Sequence, residues 1–284
     1  MIASTGMIAN TGISTNTGIA AIAGAGFAFA SLGAYAQTMR QQRWASLVVR
    51  VVAAAAWVTL AGYLGMAMSR QGVVAALQTN FNASILMVLL IGLMAGCVHL
   101  SAKLRGLDGF LLIVAAVLSW AAMSLPDQPP AELSRRPWFI SHGLAFAASA
   151  VCFAAGGAAG VGYLLVSRML RRHRTAAMIG TVASLESLER FGRWMWLIGF
   201  PLFTYGILTG FCGIAHRQDL RQTTWYLDPT LIASLVAWGI YAYLCVASLY
   251  GPTLRARRAA VLSTYGLGLV LVAYVIREFS WLHH

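Results

Sequence analysis

The sequence predicts an all-α integral membrane protein, a polytopic transmembrane helix bundle with about eight spans. Of its 284 residues, 59% are hydrophobic and only 10% are charged, whereas a soluble domain has about 25% charged residues. A single soluble core stops growing well before it could bury this much apolar sequence. The bilayer is therefore the expected solvent for the excess, and membrane lipid is the first expected partner.

Eight apolar stretches define the expected spans, because about 20 mostly apolar residues cross a bilayer. They are 18–38, 45–68, 83–102, 108–124, 139–167, 194–214, 229–250 and 259–277, and the fourth is short. Before them, the Thr-Gly-rich segment 1–17 contains no Lys or Arg and is predicted to be a disordered tail. We therefore expect spans one to four over 18–135 and a second group, spans five to eight, over 136–284.

Two connecting segments carry signals of their own. The stretch 125–137 contains four prolines, which rule out a continuous helix between the fourth and fifth spans. The segment 183–194, ASLESLERFGRW, has apolar residues at helical spacing. It predicts an amphipathic helix at the membrane interface that leads into the sixth span.

The basic residues predict how the chain is oriented. The net charge is +12, but the 20 basic residues lie almost entirely between apolar stretches, so we expect no nucleic-acid partner. Thirteen lie in the loops after spans one, three, five and seven, and Arg50 lies on the same side. The opposite side holds Arg70, Arg135, Arg136, Arg217, Arg221 and Arg277. Since basic loops stay in the cytoplasm, both termini are predicted to lie outside the inner (cytoplasmic) membrane.

Histidines are the main candidates for chemistry. On this topology His142, His216, His283 and His284 all lie near the outer surface, where imidazoles that converge could ligate haem iron or another transition metal. The alternative is that polar residues simply accumulate at membrane interfaces. His99, at the cytoplasmic end of span three, is expected to be either a snorkelling or a buried hydrogen-bonded side chain.

Sequence motifs of familiar enzymes are missing, so no independent enzymatic activity is expected. The chain has no Gly-x-Ser-x-Gly, Walker or His-Glu-x-x-His motif. Its spans contain few carboxylates, which argues against a proton-coupled transporter of small solutes. The four cysteines form no Cys-x-x-Cys pair and are expected to pack as small hydrophobic residues.

A family resemblance appears in the second half of the chain. The segment IGFPLFTYGILTGFCGIA, 198–215, followed by WYLDPTLIASLVAWGIYAYL, 225–244, resembles the core of the cytochrome c assembly family (the CcsA/HemX-type membrane proteins). The residues that carry the resemblance are Trp225, Asp228, Pro229, Trp238 and Tyr241. It extends over roughly 80–284, through the span that contains His142 to the terminal WLHH. Thr230 and Leu231 replace the family's Lys-Glu, so the chain resembles a short, divergent member.

The resemblance implies a haem-handling or accessory role in cytochrome c assembly, together with other assembly proteins. It places His142 and His283 on the family's two external histidines, which would ligate one haem, with His284 as an alternative ligand. Trp225, Tyr226 and Trp138 would pack against the porphyrin, and Arg217 and Arg221 would pair with its propionates. Asp228 would cap span seven. The alternative function is that of a HemX-like regulator or scaffold without enzymatic activity.

Overall fold

The structure, a computed structural model, is built of α-helices. It describes residues 17–34, 43–104, 106–123, 137–171, 183–216, 229–249 and 256–280, and no strand occurs in these ranges. The predicted disordered tail therefore lies outside the described residues, except for Thr17 at its end. The prediction of an all-α bundle is confirmed.

The described residues form nine α-helices and one short 3₁₀ helix. In chain order they are α1 Thr17–Ala34, α2 Arg43–Gln71, α3 Val73–Gln78, α4 Asn80–Leu100, the 3₁₀ helix Ala102–Leu104, α5 Leu107–Ala122, α6 Pro137–Arg171, α7 Leu185–His216, α8 Pro229–Leu249 and α9 Ala256–Ser280. The predicted amphipathic helix and the sixth span are one continuous helix, α7. Ser184 precedes it, and its hydroxyl accepts a hydrogen bond from the backbone N–H of Ser187 at 3.2 Å.

The predicted number of spans is too high. Within the described residues, six helices are long and apolar enough to cross a membrane, namely α1, α2, α4, α6, α7 and α8. The fourth predicted span is α5, which is apolar but has only 16 residues, a length of about 24 Å that falls short of the roughly 30 Å hydrocarbon core. The eighth, 259–277, lies in α9, Ala256–Ser280, which is not among these six helices. The chain is a multi-pass membrane protein, with about six spans among the residues that the structure describes.

The most buried span is α6. In the apolar part of α6, 72% of the residues are buried, compared with 22% in the apolar parts of α2, α7 and α8. Helix α6 therefore lies inside the bundle, whereas these three helices face lipid. All ten residues of 151–160, VCFAAGGAAG, are buried. Small side chains let neighbouring helices approach the α6 backbone closely. A Cβ atom added to Gly156 would lie 2.7 Å from Trp196 Nε1 of α7, and one added to Gly157 would lie 2.6 Å from Leu267 of α9.

Two apolar cores meet on α6. The first core packs α1, α2, α4 and α5 against Val151, Ala154 and Ala158 of α6. The second core packs α7, α8 and α9 around Phe153 of α6. Since α6 contributes to both cores, the division of the chain at 135/136 stays a prediction.

Candidate functional site

The contacts of α6 show at which end of the bundle His142 lies. A Cβ atom added to Gly162 of α6 would lie 3.6 Å from Leu188 near the start of α7 and 4.0 Å from Leu107 at the start of α5. His142 lies on the same helix 20 residues earlier, a distance of about 30 Å along the axis. His142 therefore belongs to the end where α6 begins and α7 finishes.

His142 is half-buried and hydrogen-bonds to α7. Its Nδ1 lies 2.7 Å from the backbone carbonyl oxygen of Gly206 and 3.3 Å from Thr209 Oγ1. A carbonyl oxygen only accepts hydrogen bonds, so Nδ1 must donate and carries the proton. In the neutral imidazole the lone pair is then on Nε2, the nitrogen that suits a transition metal.

Two glycines of α7 make this contact possible. A Cβ atom added to Gly206 would lie 2.6 Å from the ring of Phe146, and one added to Gly210 would lie 3.0 Å from His142 Cε1. These residues have the Gly-x-x-x-Gly spacing, which lets two helices approach each other closely. In the structure its two glycines seat two successive rings on one face of α6.

A series of aromatic rings leads from His142 into the second core. The ring centroids are separated by 4.8 Å from His142 to Phe146, by 5.2 Å from Phe146 to Phe203, and by 5.3 Å from Phe203 to Phe153. The last ring is Tyr241 of α8, stacked on Phe153 with centroids 3.6 Å apart and fully buried. The imidazole therefore packs against a connected set of aromatic rings that extends into the second core.

Other residues of the family-like segments also contact one another. Trp238 of α8 donates a hydrogen bond from Nε1 to Thr204 Oγ1 at 3.0 Å. Its ring lies 5.7 Å from that of Phe200. The resemblance had singled out Trp238 and Tyr241 by position, and both join α8 to the helices that hold His142.

Most of the predicted haem site falls outside the described residues. This applies to Arg217, Arg221, Trp225, Tyr226, Asp228, His283 and His284. Trp138 lies in the first turn of α6 and His216 is the last residue of α7. The structure therefore places one predicted ligand, His142, and the pairing of His142 with His283 stays a prediction. Among the residues described, no three His, Cys, Asp or Glu side chains form a metal-binding group.

A second polar cluster lies at the opposite end of the bundle. His99 Nδ1 lies 2.6 Å from Asp108 Oδ2, and Arg50 Nε donates to His99 Nε2 at 3.1 Å. Asp108 is buried, with 6% of its surface exposed. Of the two alternatives for His99, the structure shows the hydrogen-bonded one. This cluster was not predicted from the sequence, although a lone acidic residue at the start of an apolar stretch is a signal for a buried partner.

Comparisons with known proteins agree with the resemblance. The family model described as "Cytochrome C assembly protein" matches residues 100–283. One relative is the "Cytochrome c biogenesis protein CcsA" of Thermosynechococcus vestitus, 31% identical over 90 residues that cover 32% of this chain. The matched part is 27% of the length of that relative. No solved structure matches the chain.

Proposed function

Because the chain belongs to the cytochrome C assembly protein family, we propose that it handles haem, or assists its handling, during cytochrome c assembly. The observation that carries this proposal is the environment of His142. This half-buried imidazole lies at one end of the bundle. It donates a hydrogen bond from Nδ1 to a backbone carbonyl 2.7 Å away and packs against the ring of Phe146. An imidazole in this form has its lone pair on Nε2 and fits haem iron.

In this proposal His142 and His283 are the two axial ligands of one haem, with His284 able to replace His283. The bound haem is the group that the assembly system attaches to its apocytochrome. Trp138, Trp225 and Tyr226 pack against the porphyrin faces. Arg217 and Arg221 pair with the propionates, and Asp228 caps α8 at its first residue, Pro229.

The first test is deletion of the gene, followed by haem staining of c-type cytochromes in membrane fractions. We expect a loss of covalently bound haem that the intact gene restores. We expect His142→Ala and the double variant His283→Ala, His284→Ala to restore it poorly, because each removes an axial ligand. A matched control is His173→Ala, a histidine from the basic linker between α6 and α7, which should restore staining fully. Normal staining after deletion would contradict the proposal and favour the regulator or scaffold.

We also propose that the chain lies in the inner membrane with the His142 end facing outward. The support is the set of described basic residues at the opposite end of the bundle, namely Arg50, Lys103, Arg168, Arg171, Arg190 and Arg193, because basic residues stay on the cytoplasmic side. Alkaline phosphatase is active only outside the cytoplasm, so a fusion at the C-terminus should be active and a fusion after Arg172 should be inactive. The reverse pattern would overturn this orientation.

A further inference from the structure

We propose that the segment of α7 from Gly206 to Gly210 positions the imidazole of His142: the Gly206 carbonyl selects the tautomer, and Gly210 leaves room for the ring. The role in haem ligation rests on the function proposed above. The tautomer and the seating of the ring are properties of the haem-free protein. They can therefore be tested separately.

The tautomer follows from the hydrogen bond to Gly206. With 2.7 Å between Nδ1 and the carbonyl oxygen, two lone pairs would repel each other, so Nδ1 carries the proton. Thr209 supports the same arrangement. Its hydroxyl lies 2.8 Å from the Tyr205 carbonyl and 2.9 Å from that of Gly206, within its own helix. Its single proton is used there, and its oxygen faces Nδ1 at 3.3 Å as a second acceptor.

The orientation of the ring follows from its neighbours. The Phe146 ring lies on one side, with centroids 4.8 Å apart and a tilt of 56°. On the α7 side, the missing side chain of Gly210 leaves the space that His142 Cε1 occupies. A methyl group there would lie 3.0 Å from Cε1, closer than ordinary van der Waals contact. Rotation of the ring would also break the hydrogen bond to Gly206.

Such positioning matters because a ligand nitrogen must point at the metal before binding. A hydrogen bond from the other ring nitrogen to a carbonyl fixes the orientation of the imidazole and raises its basicity as a ligand. Changes to groups of this kind typically weaken metal binding by about 10-fold to 100-fold. On this basis Gly206 and Gly210 act through His142 and do not themselves touch the haem.

The first experiment measures the tautomer directly. The haem-free protein, labelled with ¹⁵N-histidine and held in detergent micelles, is studied by NMR at a pH where the imidazole is neutral. The signals of His142 are those that disappear in His142→Ala. We expect a protonated Nδ1 and an unprotonated Nε2. A His142 ring with its proton on Nε2 would overturn the proposal, whether or not the protein binds haem.

The second experiment compares two glycine variants by optical titration with haem. Gly210→Ala should weaken haem binding by about 10-fold or more, because the new methyl group displaces the imidazole. Gly239→Ala in α8 is the matched control, since a Cβ atom there meets nothing within 4 Å, and it should bind as the wild type does. Equal affinity of Gly210→Ala and wild type would overturn the positioning role. A wild type that binds no haem would refute the proposed function, while the NMR result still decides the tautomer.

Discussion

Replacing Gly160 with alanine is expected to destabilise the protein by about 2 kcal/mol, a typical cost of overpacking. Gly160 faces α9, where the added Cβ atom would lie 2.7 Å from the backbone carbonyl oxygen of Ala260 and would also collide with Ser263 Oγ. The serine hydroxyl can rotate away. The carbonyl belongs to the helix backbone and moves only if α6 and α9 separate, which would also open the contact at Gly157.

The measurement is the unfolding midpoint of the purified protein in mixed micelles with a denaturing detergent. Gly162→Ala is the matched control, two residues along the same helix. A Cβ atom at Gly162 would lie 3.6 Å from the flexible end of Leu188, an ordinary contact. Alanine is also the better helix former. We expect Gly162→Ala to be neutral or slightly stabilising, and two indistinguishable midpoints would refute the packing of α6 against α9.

Replacing Asp108 with alanine is expected to cost about 2 kcal/mol, the penalty for leaving the part-buried His99 donor unsatisfied. The carboxylate accepts the hydrogen bond from His99 Nδ1 at 2.6 Å, and its side chain is only 8% exposed. Its loss also leaves His99 held only by the exposed hydrogen bond from Arg50 Nε to His99 Nε2. The cluster joins α2, α4 and α5, so its loss should loosen the first core.

One further variant separates the hydrogen bond from the charge, and another serves as a control. Asp108→Asn keeps an acceptor oxygen for His99 and should lose less stability than the alanine variant. Glu186→Ala removes the partner of Arg190 in an ion pair whose side chains are 79% and 68% exposed. Exposed pairs of this kind contribute little, so the unfolding midpoint should not change. An Asp108→Ala protein as stable as wild type would show that the cluster does not hold the three helices together.

The helices themselves follow closely from the sequence, because apolar stretches report burial in lipid directly. The predicted span 139–167 corresponds to α6, Pro137–Arg171, and 45–68 corresponds to α2, Arg43–Gln71. The number of spans was wrong because apolarity does not distinguish a membrane-crossing helix from a short buried one. The 16 residues of α5 pack largely against other helices, with Leu111 and Ala115 fully buried.

The partners of the polar residues could not be predicted in the same way. His142 was found from its position and the family pattern, but its hydrogen-bond acceptor is the backbone carbonyl of Gly206, 64 residues away. A backbone group has no signature in the sequence, because every residue has one. Similarly, Arg50 and His99 are 49 residues apart. These two side chains meet because of how α2 and α4 are rotated about their axes and shifted along them. Hydrophobic periodicity predicts neither the rotation nor the shift.

The position of α6 in both cores has a consequence for the order of assembly during synthesis. Helices enter the membrane from the N-terminus onward, so α1, α2, α4 and α5 arrive before the surface that completes their packing. We expect these four helices to pack together first and their core to be completed when α6 adds Val151, Ala154 and Ala158. The same helix presents Phe153 to α7, α8 and α9 as they follow. Helix α6 thus completes the first core and provides the surface on which the second core packs.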